Sequence, residues 1–446
     1  MFEKKYYRRA LNVAWPAVLE FFFVSIADFI DTFMVSSIGP SAVAAIGLTI
    51  QAKFIALSVF IAINAALSAL IARRQGEGNR FKANQTLLTS LIIIIVLVII
   101  TDLIFLPLAP DLMRLSGSNP ETHDLAVAYF RIIMIGIVFT AISTAINGAH
   151  RGAGNTQIAF VTNVVSTIVN IFFNYLLIHG NLGFPALGVR GAAIATVLGT
   201  VVSTIMCFLS LRLKDSYLNY SYMVRDGISF DKKIAKDISS LGSNIFVEGL
   251  SIRIGFFITA LTAANLGTNA FAAHNVGMNI LSLTFSFGNG MQVAAIALTG
   301  NALGAGDKKA AMTYGKVCQQ IGFVISLILS LSIWIFGRQI FGIFFNQKEI
   351  LELSDIIRSF IGFVVICQIS QVIYGGCLRA AGDVKFTLFI AIISVTFIRS
   401  IVTLAAVHVF DLGLAGIWIG VLSDQFSRFI TLRYRFKKGK WLDMQI

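Results

Sequence analysis

Charge is scarce in this sequence. Asp, Glu, Lys and Arg supply 13% of its 446 residues, against roughly 25% in a soluble globular protein. Hydrophobic residues supply 57%, and the mean hydropathy is +0.82. No polar stretch is long enough to form a soluble domain. Cysteine is scarce too. Cys207, Cys318, Cys367 and Cys377 lie in or at the ends of apolar segments, at spacings that fit neither a disulfide framework nor a metal knot. There is no GxxxxGK[ST] phosphate loop. The apolar runs are continuous rather than alternating, which excludes a β-barrel. The net charge of +13 comes from short basic clusters between apolar runs, a membrane-topology signal rather than a nucleic-acid-binding face.

What remains is a succession of membrane spans. They read as about 10–38, 42–71, 84–112, 125–149, 157–179, 190–211, 239–266, 270–302, 311–337, 351–378, 386–410 and 412–432. The basic start (Lys4, Lys5, Arg8, Arg9) resembles a signal peptide. The run behind it is too long, holds acids and lacks a small-residue cleavage pattern, so it reads as a retained first span. Lys and Arg collect at alternate loops: Arg73, Arg74, Arg80 and Lys82, then Arg151, Lys232, Lys233 and Lys236, and finally Arg433 to Lys440. Both termini are therefore expected in the cytoplasm, with the chain multi-pass in the cell's plasma membrane.

The second half of the chain repeats the first. At an offset of 228 residues, Glu20 meets Glu248, Gly39 meets Gly267, Gly76 meets Gly304, Arg151 meets Arg379 and Gly154 meets Gly382. An offset of 225 then aligns LGVRG (187–191) with LGLAG (412–416), because the outer loop before it is shorter. Six spans per repeat is an even number, so both halves enter the membrane in the same direction. The expected fold is all-α: twelve transmembrane helices in two parallel-repeat six-helix lobes, 1–212 and 239–446. A cytoplasmic linker, 213–238, joins them.

Polar residues inside the spans mark the candidate chemistry, because each is costly there. Span one carries Glu20, Asp28 and Asp31; on a helix, Glu20 and Asp31 fall within about 20° of each other. Span five carries Asn163, Thr167, Asn170 and Asn174 on one face, as either a cation site or interhelical packing glue. Glu248 lies in span seven. Two spans carry deep bases, Arg253 and Arg399, whose expected partners are carboxylates. Arg253 beside an acid of span one would keep that acid ionised. The RGAGNT and RAAGDV loops read as tight turns rather than phosphate cradles. With no nucleotide motif, an ion gradient is the expected driving force and no ATPase subunit is expected.

Several stretches resemble the multidrug and toxic compound extrusion family: IADFIDTFMVSSIGPSAVAAIGL, LGTNAFAAHNVGMN, NIFFNYLLIHGNLGFPALGVRGAAIAT and the paired RGAGNT and RAAGDV loops. The resemblance covers essentially the whole chain. It implies two lobes about a cleft and export of amphipathic, mostly cationic drug-like molecules by alternating access, in exchange for H+ (preferred) or Na+. By the same resemblance, Asp31 matches the family's first-helix acid and Asn170 its fifth-helix Asn. Asn174 stands where many members have Asp, and Thr196 matches a sixth-helix Thr. Transient Na+ would sit at Asp31, Asn170 and Asn174. Glu248 matches a seventh-helix Glu of one branch, whose partner Asp is Gln368 here. Glu20, Asp28, Gln368 and Arg253 rank as accessory. Glu248 then reads as a lone, partly desolvated acid suited to proton exchange. No cofactor, structural metal or nucleic acid is expected, and a monomer in the bilayer is. The competing readings are a lipid-linked precursor flippase or an exporter of one metabolite, and, from another class, a channel or receptor.

Overall fold

The computed structural model describes residues 4–213, 216–344 and 347–444, without the side chains at positions 28, 29, 32, 40, 343 and 344. The chain is helical, with no strand among the described residues. In order the helices are α1 (Lys4–Ser36), α2 (Pro40–Gly76), α3 (Arg80–Leu115), α4 (His123–Ile135), α5 (Ile137–Gly152), α6 (Thr156–His179), α7 (Val189–Ser210) and the short α8 (Tyr220–Arg225). There follow α9 (Lys232–Asn265), α10 (Thr268–Gly304), α11 (Lys308–Phe344), α12 (Lys348–Ala380), α13 (Val384–Ala391), a π-helical segment (Ile392–Arg399), α14 (Ser400–His408) and α15 (Gly413–Lys438). Helices are what a continuous apolar run must form in hydrocarbon, because they satisfy their own backbone groups.

Ten described helices are long and apolar enough to cross a membrane, counting α13 to α14 as one passage, and the pair α4–α5, bent by 47°, makes an eleventh. The twelfth expected span is α15. It is less apolar because it carries Asp424, Gln425 and Arg428, all buried.

Two compact units emerge, Leu19–Ser243 and Met1–Val18 with Asn244–Ile446. The first turns of α1, up to and just past Pro16, thus pack with the second half of the chain. Correspondingly, the first turns of α9 pack with the first half. Within the stretch 213–238, expected as a linker, residues 216–219 are docked on α3: Arg80 donates to the carbonyls of Ser216 (2.8 Å) and Tyr217 (3.0 Å), and Asn84 accepts from the Asn219 amide (2.9 Å).

In the carboxy-terminal unit, Trp418 and Trp441 are fully buried in an apolar core. The RGAGNT and RAAGDV turns are closed by Gly154 (φ +73°) and Gly382 (φ +88°), in the left-handed region where a Cβ is costly.

Candidate cation site

In the Leu19–Ser243 unit, α1, α6 and α7 bring together four of the expected residues. The Asn174 amide on α6 donates to Asp31 Oδ1 on α1. One turn earlier, Asn170 serves both neighbours when its amide is oriented to match them. Its nitrogen donates to Asp31 Oδ1 at 3.1 Å, and its oxygen accepts from Thr196 Oγ1 and the Thr196 backbone N–H, at 3.2 Å each. The approach of α7 that allows this rests on Gly199. A Cβ there would meet the Ser166 carbonyl at 2.7 Å and the Asn170 Cβ at 3.2 Å. Asp31 is half-buried and Asn174 fully buried. Asn174 Oδ1 has no hydrogen-bond partner.

A buried carbonyl oxygen left unpaired costs free energy, so the site is built to receive something. Its open and shared atoms are all oxygens: the Asp31 carboxylate, the Asn170 and Asn174 amides and the Thr196 hydroxyl. That set suits a proton on Asp31 or a small hard cation, not a transition metal. No group of three or more His, Cys, Asp or Glu side chains that could hold a metal ion occurs among the described residues.

Glu20 is not part of this cluster. It lies nearer the start of α1, 2% exposed, with its Oε1 bound by Arg151 Nη1 (2.6 Å) and Asn163 Nδ2 (2.6 Å). The polar stripe on α6 therefore divides: Asn163 serves Glu20, Asn170 and Asn174 serve Asp31, and Thr167 lies between. Asp28, the third expected acid, lies outside the described side chains.

The reading of Glu248 as a lone acid is corrected by its contacts. In the carboxy-terminal unit Arg379 Nη2 donates to its Oε1 at 2.6 Å and Thr387 Oγ1 to its Oε2 at 3.1 Å. Gln368, the other half of the expected pair, accepts from Thr284 Oγ1 at 3.5 Å. Glu20–Arg151 and Glu248–Arg379 are thus one interaction repeated, each joining two elements 131 residues apart. The repeat offset carried this signal, since both Glu and Arg recur at 228 residues.

Of the two expected deep bases, Arg399 is 1% exposed and Arg253 only half-buried. Sequence reasoning missed Asp424 and Arg428 on α15, four residues apart and 0% and 8% exposed. An Asp–Arg pair at i, i+4 inside an apolar span was the available signal.

The family model described as MatE matches residues 16–176 and 245–404, one match in each repeat. A Thermotoga maritima protein described as "Probable multidrug resistance protein NorM" is 28% identical over 443 residues, covering 97% of this chain and 93% of that protein. Two solved structures, "Crystal structure of MATE in the straight conformation" and "Crystal structure of MATE in the bent conformation", superpose with TM-scores of 0.90 and 0.88. Each is 26% identical; they cover 98% and 97% of this chain and 97% and 96% of their own.

Proposed function

Because the chain belongs to the MatE family of membrane transporters, we propose that it exports amphipathic, mostly cationic drug-like molecules in exchange for a cation bound at Asp31. One observation carries the cation reading: the half-buried Asp31 carboxylate receives the Asn170 and Asn174 amides, beside the buried, unpartnered Asn174 oxygen. When a proton joins Asp31, its new O–H has a candidate acceptor in the unpartnered Oδ1 of Asn174, whose Nδ2 already bonds Asp31. When the proton leaves, the two amide N–H groups stabilise the carboxylate. Both protonation states are provided for, which is what a carrier must do.

The proton is the preferred coupling ion, with Na+ competing for the same oxygens. This preference rests on the Asp31 cluster, since Glu248 is held by Arg379 and does not support it. Asn174 in place of a second carboxylate also favours the proton. A metal ion would hold the two amides by their oxygens, whereas here their nitrogens face Asp31. In this reading the two six-helix lobes alternate access to the substrate. The chain sits in the plasma membrane as a monomer with both termini in the cytoplasm, and no ATPase takes part.

Transport of a fluorescent cationic drug into everted vesicles tests this, with proton and sodium gradients imposed separately. Uptake driven by the proton gradient at zero sodium is expected. Uptake driven by sodium alone at clamped pH overturns the proton assignment. Uptake indifferent to both gradients overturns cation coupling.

A further inference from the structure

The second repeat holds a counterpart of the cation site, with the charge reversed. At the 228-residue offset Asp31 falls on Thr259, and Asn170 falls on Ile398, next to Arg399. At the 225-residue offset Thr196 falls on Val421, one helical turn from Asp424. Thr259 and those two neighbours, Arg399 and Asp424, are in contact. Arg399 Nε donates to Thr259 Oγ1 at 2.9 Å, and its Nη1 reaches Asp424 Oδ2 at 3.4 Å. Arg428, one turn further along α15, grips the same carboxylate with Nε to Oδ1 at 2.8 Å and Nη2 to Oδ2 at 3.1 Å.

The backbone is shaped around this cluster. Arg399 closes the eight-residue π-helical segment, and π turns inside helices are frequently found at functional sites. A Cβ on Gly255 of α9 would meet the Val395 carbonyl at 2.2 Å, so α9 packs directly on that segment. The Arg399 guanidinium lies over the Phe256 ring at 4.4 Å. Asp424 is 11 residues into α15, roughly 16 Å at ~1.5 Å per residue, which is near mid-bilayer.

Two guanidiniums here face one carboxylate, and both oxygens of that carboxylate are already taken. Arg399 Nη2 has no partner, and neither do the hydroxyls of Ser400 and Thr403 beside it on α14. His274 on α10 faces Arg399 electrostatically and supplies no negative charge. An excess cation at 1% exposure in a membrane interior is costly without a counter-charge. The unused groups are an Arg N–H pair and two hydroxyls, a donor-rich set.

We propose that this cluster is an anion site, holding one small monovalent inorganic ion of chloride size against Arg399. The site belongs to the carboxy-terminal unit alone and stands whatever ion couples at Asp31.

Thermal unfolding of the purified full-length protein in lipid nanodiscs tests it, with chloride or bromide replacing gluconate at constant ionic strength. The wild type should gain a saturable ~2–4 °C in Tm, and Asp31→Asn should gain the same. Arg399→Gln leaves the neutral Arg428–Asp424 pair, so it should lose the halide response. Arg428→Gln leaves the neutral Arg399–Asp424 pair and should lose it too; it decides the matter if Arg399→Gln does not fold. A wild type indifferent to halide overturns the proposal. So does a halide response that survives in both arginine variants, because the ion then binds elsewhere.

Discussion

Truncating Arg151 should cost more than truncating its repeat mate Arg379, although both hold a glutamate at 2.6 Å. Removing one partner of a buried ion pair leaves an uncompensated charge, at about 3–5 kcal/mol. The two glutamates are left in different circumstances. After Arg379→Ala, Glu248 keeps the Thr387 hydroxyl on Oε2. After Arg151→Ala, Glu20 keeps only the Asn163 amide on Oε1, and its Oε2 already lacks a partner. Glu20 is also the more enclosed, at 2% exposure against 6%. An unsatisfied buried acceptor costs about 1–3 kcal/mol, so Arg151→Ala should exceed Arg379→Ala by ~1 kcal/mol or more. Chemical unfolding of the purified protein in nanodiscs measures both. Glu20→Gln with Arg151→Gln, and the matching pair at Glu248 and Arg379, should recover most of each loss, because no bare charge remains. If Arg379→Ala proves the costlier, or if each double variant is no better than its arginine single, these glutamates are not held as described.

Three further outcomes follow from the proposed cation site. Asp31→Asn should reach the membrane at wild-type abundance yet confer no drug resistance in a sensitised host, because an amide cannot exchange a proton. Asn174→Asp places a second carboxylate beside Asp31; it should strengthen the sodium dependence of vesicle transport at least ~10-fold, since two adjacent acids favour a bound cation. Gly199→Val pushes α7 away from Ser166 and Asn170, at about 1–3 kcal/mol of overpacking, and should weaken ion coupling more than drug binding in titrations of each.

Architecture could be read from the sequence because membrane burial acts on long segments. Twenty apolar residues leave few alternatives to a helix, and a constant offset across several loops exposes a repeat. The grouping of Asp31, Asn170, Asn174 and Thr196 came from the family resemblance and from the α6 face; their hydrogen bonds came only with the fold. Pairings were hidden for a different reason. Glu20 and Arg151 are 131 residues apart, and helix periodicity says nothing about what another helix presents. Glu248 looked lone because its partner sat in a loop that read fully as a turn. The turn is real, closed by Gly382 (φ +88°), but Arg379 reaches from its edge back to the glutamate.

The repeat separates what the fold requires from what the site can vary. The Glu–Arg pairs are preserved in both halves, down to their 2.6 Å contacts, as expected of groups that fix helices to one another. The positions around Asp31 are not preserved: Thr259 replaces the acid, and in the second repeat Arg399 and Asp424 stand next to the positions that correspond to Asn170 and Thr196. An interaction serving the architecture has to survive in both copies, because each copy must fold. An interaction serving transport is free to diverge once one copy carries the cation. On that reasoning Glu248 is structural. Glu248→Gln should lower stability while leaving the pH profile of the remaining transport unchanged, whereas a shifted profile in everted vesicles would return Glu248 to the coupling machinery.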